Sequence, residues 1–235
     1  MRLPIVCPQC MKDDVGSAHP FTTMEWQDEG RYEIACPKGH TAVTILQEQK
    51  FELLFDIGAY ALIDGYYREA VSSFTSSLER FYEFFITAAF LEKGIDAALF
   101  SKTWKLISNQ SERQLGAFIL VYLAELHKTP MLLSQKSIEF RNAVVHKGTI
   151  PSRERAIEYG QEILDQVRPA FRQAKERCPK GVRAAIFQHM MQSRRTPGEV
   201  SGTMTTPTII SLSRDDKSYN ERTLDDALKE LRRWT

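Results

Sequence analysis

Two groups of residues in this chain carry side chains at spacings that chemistry uses. The first is Cys7-Pro-Gln-Cys10, followed after twenty-five residues by Cys36-Pro-Lys-Gly-His40. Two pairs of soft donors, each in a short turn, present four side chains to one point, as a tetrahedral zinc requires. Proline after the first ligand of each pair stiffens the turn, and Gly39 frees the backbone to bend toward the ion. His19 and Cys178 are the substitutes if His40 is not the fourth ligand. Four protein ligands close the site, which favours a structural ion over a catalytic one. The second group is Arg141-Asn142 and His146, within the stretch FRNAVVHKGTIPS from Phe140 to Ser152. A guanidinium fork can hold phosphate oxygens, an amide can orient one of them, and an imidazole can move a proton. That is equipment for phosphoryl transfer.

These residues need elements to hold them. Around the cysteines, Tyr32, Ile34 and Cys36 alternate with polar or small residues, and Thr41 to Leu46 reads as a further strand. Asp28-Glu29-Gly30 supplies a turn before them. This pattern resembles a zinc ribbon over about residues 5–46. After Gln47 the spacing becomes helical. Phe51, Leu54, Phe55, Ile57 and Ala61 form one apolar stripe, which ends near Asp64-Gly65. A second helix is predicted from Tyr67 to Lys93, stopped by Gly94, and two shorter ones over 96–107 and 112–127. Ser111-Glu-Arg-Gln114 has the form of a capping box. Thr129-Pro130 breaks the chain, and Ser134 then caps a helix that ends around His146. Ser152 starts a last long helix to Arg177, with a kink expected at Pro169. Tyr66, Tyr67, Phe81, Tyr82, Phe84 and Phe85 read as packing residues. Glu79 differs, because a carboxylate among aromatics is costly unless it steers a cation.

On the predicted helix, Asn142 and His146 lie one turn apart, while Arg141 stands about 140° from His146 and must wrap toward it. His146 falls in the last turn, where the helix dipole favours positive charge.

The composition narrows the setting. The chain has 235 residues, 43% of them apolar, enough for one ordinary domain and a small one. A formal charge of +1 excludes a globally basic nucleic-acid binder, so any such contact must be local. The longest apolar run, Ala117 to Ala124, is too short to span a bilayer, and the N-terminal stretch lacks the charged start and apolar run of a signal peptide. Four cysteines without a secretion signal argue for metal ligation in a reducing compartment. The expectation is a soluble, cytoplasmic protein with no membrane partner.

The segment Arg141-Asn-Ala-Val-Val-His146-Lys-Gly, ending one bundle helix before another begins, resembles the HEPN domain family, whose motif is Arg-x4–6-His with a polar residue after the Arg. Tyr66-Tyr-Arg-Glu-Ala-Val71 and Ser77-Leu-Glu79 are similar to the family's first two long helices. The resemblance covers about residues 48–177. It implies a mainly α bundle and a metal-independent endoribonuclease with its site at a homodimer interface. Arg141 and His146 carry over as catalytic, Asn142 as their polar partner and Glu79 as a further site residue. One branch of the family places a tyrosine two residues after the His as a modification target. Gly148 stands there, so that regulation is not expected.

Arg168 to Arg195 contains one acid, Glu176, against eight Lys and Arg. Arg168, Arg172 and Lys175 share a helix face and make a phosphate track for RNA. Thr196 to Thr206 reads as a linker or mobile loop, Pro207 to Ser213 as a strand, and Leu224 to Trp234 as a short helix. The expected organisation is a zinc ribbon at 1–47, a HEPN-like domain at 48–178, and a C-terminal basic segment with linker, strand and helix at 179–235. By family analogy the nuclease is a toxin or antiviral-defence effector, with an antitoxin or sensor protein as regulatory partner. The rival expectation is a non-catalytic zinc-ribbon adaptor or regulator that binds nucleic acid or a nucleotide.

Overall fold

A computed structural model describes residues 2–13, 21–193, 201–214, 219 and 221–231. The chain is mainly helical with a small β component. The described residues fall into two compact units, one comprising 1–49, 186–207 and 231–235, the other 50–185 and 208–230. Of the described residues from Pro179 onward, 186–193, 201–207 and 231 group with the first unit, and 179–185, 208–214, 219 and 221–230 with the second.

In the first unit, β1 (Arg2–Val6) leads into α1 (Pro8–Asp13), and β1 pairs antiparallel with β2 (Phe21–Glu25). β3 (Arg31–Ala35) and β4 (Thr41–Leu46) form an antiparallel pair in which Tyr32 and Ile34 point inward, as their alternation predicts. The turn before β3 closes through Gly30, whose N–H donates to Gln27 at 3.1 Å. β5 (Ser201–Met204) then lies parallel to β4.

That strand corrects the sequence reading. It was expected at Pro207 to Ser213 and instead occupies the Gly- and Ser-rich stretch. A Cβ on Gly202 would sit 2.5 Å from Pro8 Cβ, so the approach of this backbone needs a glycine. The Ile209-Ile210 stretch, despite its β propensity, has no strand partner among the described residues. Ile209 N–H donates to Asp56 Oδ1 at 2.9 Å and Leu212 N–H to Glu52 Oε1 at 2.7 Å, so helix carboxylates take the place of a ladder.

The second unit is built on α2 (Lys50–Ile63), α3 (Tyr67–Glu92), α4 (Ala97–Trp104), α5 (Ser111–Leu126), α6 (Gln135–Lys147) and α7 (Arg153–Arg177). α8 (Pro179–Gln192) follows, its first part in this unit, and α9 (Leu224–Glu230) packs on α7. The expected end of α9 at Trp234 lies outside the described residues, as do Arg194 and Arg195. α3 is the central helix, packed against α2, α5, α6 and α7. Its Phe74, Phe81 and Phe85 meet Phe51, Phe55 and Phe118 in a continuous aromatic core. Tyr66 is not part of it and is exposed, because it precedes the helix.

Ser134 and Ser152 cap α6 and α7, accepting from Ser137 N–H and Arg155 N–H as the sequence predicts. The capping box at Ser111 does not form. Gln110 takes the cap position, and Gln114 is buried, accepting from Arg80 at 3.0 Å and donating to the Ser108 carbonyl at 2.6 Å. With its oxygen turned to Arg80 and its nitrogen to Ser108, this amide points away from the backbone N–H that a capping box would use. No helix among the described residues is long and apolar enough to cross a membrane.

Candidate functional site

The metal-ligating group assembles where three elements meet. Cys7 follows β1, Cys10 lies in α1, and Cys36 and His40 flank the turn between β3 and β4. The first pair is thus carried by a short helix rather than a tight turn, with Met11 N–H donating to the Cys7 carbonyl at 3.1 Å. The second pair is the expected turn. Gly39 N–H donates to Cys36 O at 2.8 Å with Gly39 at φ +84°, a conformation glycine adopts without strain. Thr44 Oγ1 donates to Val6 O at 2.8 Å, which ties β4 to the residue before Cys7.

The four ligand atoms lie within 4.8 Å of one another, close enough to bind a metal ion. Cys10 Sγ is 3.7 Å from Cys36 Sγ, and His40 Nδ1 is 3.3 Å from Cys10 Sγ and 4.0 Å from Cys7 Sγ. A tetrahedral ion with zinc-like bond lengths would separate two sulfurs by about 3.8 Å and a sulfur from a nitrogen by about 3.5 Å. The donor set fits such an ion. Burial and the neighbouring sulfurs push the Cys10 thiol up to about 11. Burial alone would also raise Cys36, but backbone N–H groups of His40 and Lys38 outweigh it and hold that thiol at about 7. Three sulfurs and an imidazole nitrogen converging on one point are a donor set that zinc takes. Cys178 is not in the group; it is buried beyond the end of α7, where burial pushes it up to about 11. His19 lies outside the described residues.

The Arg–His group rests on α6, a helix with only Ser137 and Val144 buried. Its N-terminus is held from α7. Ser134 N–H donates to Glu162 Oε1 at 2.5 Å, and the Ser137 hydroxyl donates to the other carboxylate oxygen. Burial would raise the Glu162 carboxyl, yet these donors outweigh it and hold it below the usual range. Further along, Phe140 meets the Tyr159 ring at 5.7 Å and lies under the Arg155 guanidinium.

Arg141 and Asn142 are half-buried, and Arg141 Nε is buried without a hydrogen-bond partner. Glu79, on α3, is the carboxylate it feels. Burial pushes the Glu79 carboxyl above its usual range, and the Arg80 and Arg141 guanidiniums oppose that shift without cancelling it. Tyr82 and Tyr159 belong to the same field. Burial drives the Tyr82 phenol far up, opposed by Gln166 Nε2 donating to it at 2.8 Å; burial also takes Tyr159 to about 12, opposed by a 2.9 Å bond to Thr75. Gln166 Oε1, like Arg141 Nε, is buried and unpartnered. α3, α6 and α7 thus contribute to one polar group, with Tyr82, Tyr159 and Gln166 buried and Glu79 and Arg141 half-buried. Sequence reading assigned Tyr82 to packing and passed over Tyr159 and Gln166, because helical spacing shows which residues turn inward but not which hydroxyls meet there.

No family model matches the chain, and no curated protein or solved structure matches it.

His146 stands apart from the buried group. It is exposed in the last turn of α6, one residue before Lys147 and the Gly148 cap. The structure therefore brings Arg141 toward Glu79 and leaves the imidazole to solvent. The expected phosphate track is altered as well. Arg168 Nη1 donates to the Arg222 carbonyl at 2.6 Å and Nη2 to the Ile209 carbonyl at 3.3 Å, and burial lowers its pKa to about 10. Lys175 Nζ donates to the Leu212 carbonyl at 3.3 Å. Both hold the backbone of the C-terminal segment on α7, and only Arg172 of the three is exposed.

Proposed function

We propose that the helical unit is a metal-independent endoribonuclease of the HEPN type, with Arg141, Asn142, His146 and Glu79 as its site, and that the first unit holds a structural zinc through Cys7, Cys10, Cys36 and His40. The observation that carries the nuclease reading is the state of Arg141. It is half-buried beside a carboxylate whose charge burial disfavours, its Nε has no partner, and its helix ends on an exposed histidine.

RNA supplies its own nucleophile, so the protein needs a base, an acid and a means of holding charge. An imidazole nitrogen of His146 takes the proton of the 2′-hydroxyl as O2′ attacks phosphorus. The P–O5′ bond breaks, and the leaving oxygen takes a proton from a second His146, contributed by another copy of the chain. Arg141 neutralises the negative charge that grows on the non-bridging oxygens. Asn142 orients one of them, and Glu79 sets where the Arg141 guanidinium points. The products are a 2′,3′-cyclic phosphate and a 5′-hydroxyl, and DNA, lacking the attacking group, is spared. A bound zinc would supply a tetrahedral cross-link between β1, α1 and the β3–β4 turn. A toxin or defence role is the cellular setting this chemistry fits.

The test is incubation of the purified protein with mixed RNA without added divalent cation, followed by end-group analysis. Cyclic phosphate ends that vanish with His146→Ala support the reading. RNA that is bound but never cut would instead favour a non-catalytic adaptor.

A further inference from the structure

We infer that Gln9 and Asp13 form an outer shell for the metal group, holding His40 so that Nδ1, not Nε2, is its ligand atom. The inference rests on the proposal that Cys7, Cys10, Cys36 and His40 bind zinc. His40 turns Nδ1 toward the sulfurs, 3.3 Å from Cys10 and 4.0 Å from Cys7. Its other nitrogen, Nε2, faces Asp13 Oδ2 at 3.6 Å. The second oxygen of that carboxylate accepts from Gln9 Nε2 at 2.8 Å. A chain of contacts therefore runs from Gln9 through Asp13 and the imidazole to the point where the sulfurs converge.

The chemistry of the imidazole gives this chain its meaning. A neutral histidine that ligates through Nδ1 must carry its proton on Nε2, and a carboxylate facing that proton fixes the tautomer and strengthens the donor. At 3.6 Å the carboxylate faces Nε2 just beyond hydrogen-bond distance, and the inferred outer-shell contact requires the two to close when Nε2–H donates. Gln9 and Asp13 stand one turn apart on α1, the helix that also carries Cys10, so one short element sets a ligand and its outer support together.

The experiment uses the full chain loaded with zinc. A competing chromophoric chelator reads zinc affinity in the wild type, Asp13→Asn, Gln9→Ala and, as a surface control, Glu176→Gln. Asp13→Asn is expected to weaken zinc about tenfold, at the low end of outer-shell effects because Asp13 is exposed. Gln9→Ala should fall between Asp13→Asn and the control. Two-bond proton–nitrogen correlation spectra of the wild type give a readout independent of any variant, with His40 expected to show a protonated Nε2 and a metal-shifted Nδ1. Zinc on Nε2, or Asp13→Asn holding zinc as tightly as the wild type, overturns the inference alone. Wild-type protein that takes up no zinc overturns the metal reading and this one with it.

Discussion

The metal group and the Arg–His group are both built from pairs close in the sequence, yet the fold treats them oppositely. Cys7, Cys10, Cys36 and His40 arrive from separate elements and close on one another, three of them buried. Arg141 and His146 leave the same helix and part, one toward the half-buried Glu79 on α3 and the other into solvent. A closed set of four donors needs only an ion to finish it. A histidine left outside needs something brought to it, a substrate and, in our proposal, a second copy of the chain.

The most severe way to break this contrast is to open the closed site. Cys10→Ser should reduce bound metal from about one equivalent to near none, because it removes one of the four donors, and with the metal goes on the order of 10 kcal/mol of support for the fold around it. Elemental analysis and circular dichroism check this, with the helical signal of the second unit retained. At the divided site, His146→Ala should lower RNA cleavage by roughly a hundredfold or more while leaving the thermal midpoint unchanged, since the side chain is exposed. Arg141→Lys should also be severely impaired, because an ammonium keeps the charge without the fork. Cleavage rates beside melting curves separate the two effects.

A third comparison uses buried acids. Burial raises the Glu48 carboxyl to about 7 although it accepts from Thr206 N–H at 2.7 Å. An acid with a raised folded pKa binds its proton more tightly in the native state. Stability is then highest below the ordinary value of 4.5 and falls as pH rises toward about 7. Denaturant titrations at pH 5 and pH 8 should differ by about 2 kcal/mol from this group, and Glu48→Gln should flatten the difference.

The smallest effects distinguish α7's cations. Arg168→Ala should cost about 1–2 kcal/mol of stability, because it frees the carbonyls of Arg222 and Ile209. Arg172→Ala should leave stability within about 0.5 kcal/mol. If Arg172 meets a phosphate, its loss lowers the salt slope of RNA binding by about one unit. Filter binding over a range of salt measures that slope.

How much of this was legible depended on the range of the interaction. Helical spacing placed α2, α3, α6 and α7 within a residue or two, because the apolar stripe, Ser134, Ser152 and the glycines after helix ends act locally. The ligand set was legible for the same reason, as each pair lies within five residues. Asp13 was not, although it stands only three residues past Cys10; its meaning depends on which imidazole nitrogen faces it.

What the sequence determined by itself was the set of elements and the residues able to do chemistry, since both follow from side-chain type and near-neighbour spacing. Tertiary structure decided how the donors were used. Arg168 and Lys175 have the spacing of a phosphate track, but the carbonyls of Ile209, Leu212 and Arg222 accept hydrogen bonds from them. Ile209-Ile210 has the composition of a strand, but Asp56 and Glu52 reach the backbone around it before another strand does. Ser201 to Met204 has the composition of a loop and becomes a strand, because Gly202 lets it lie against Pro8 beside β4. A donor or acceptor is assigned by whichever partner the fold brings within about 3 Å, and that partner is often more than a hundred residues away in the chain.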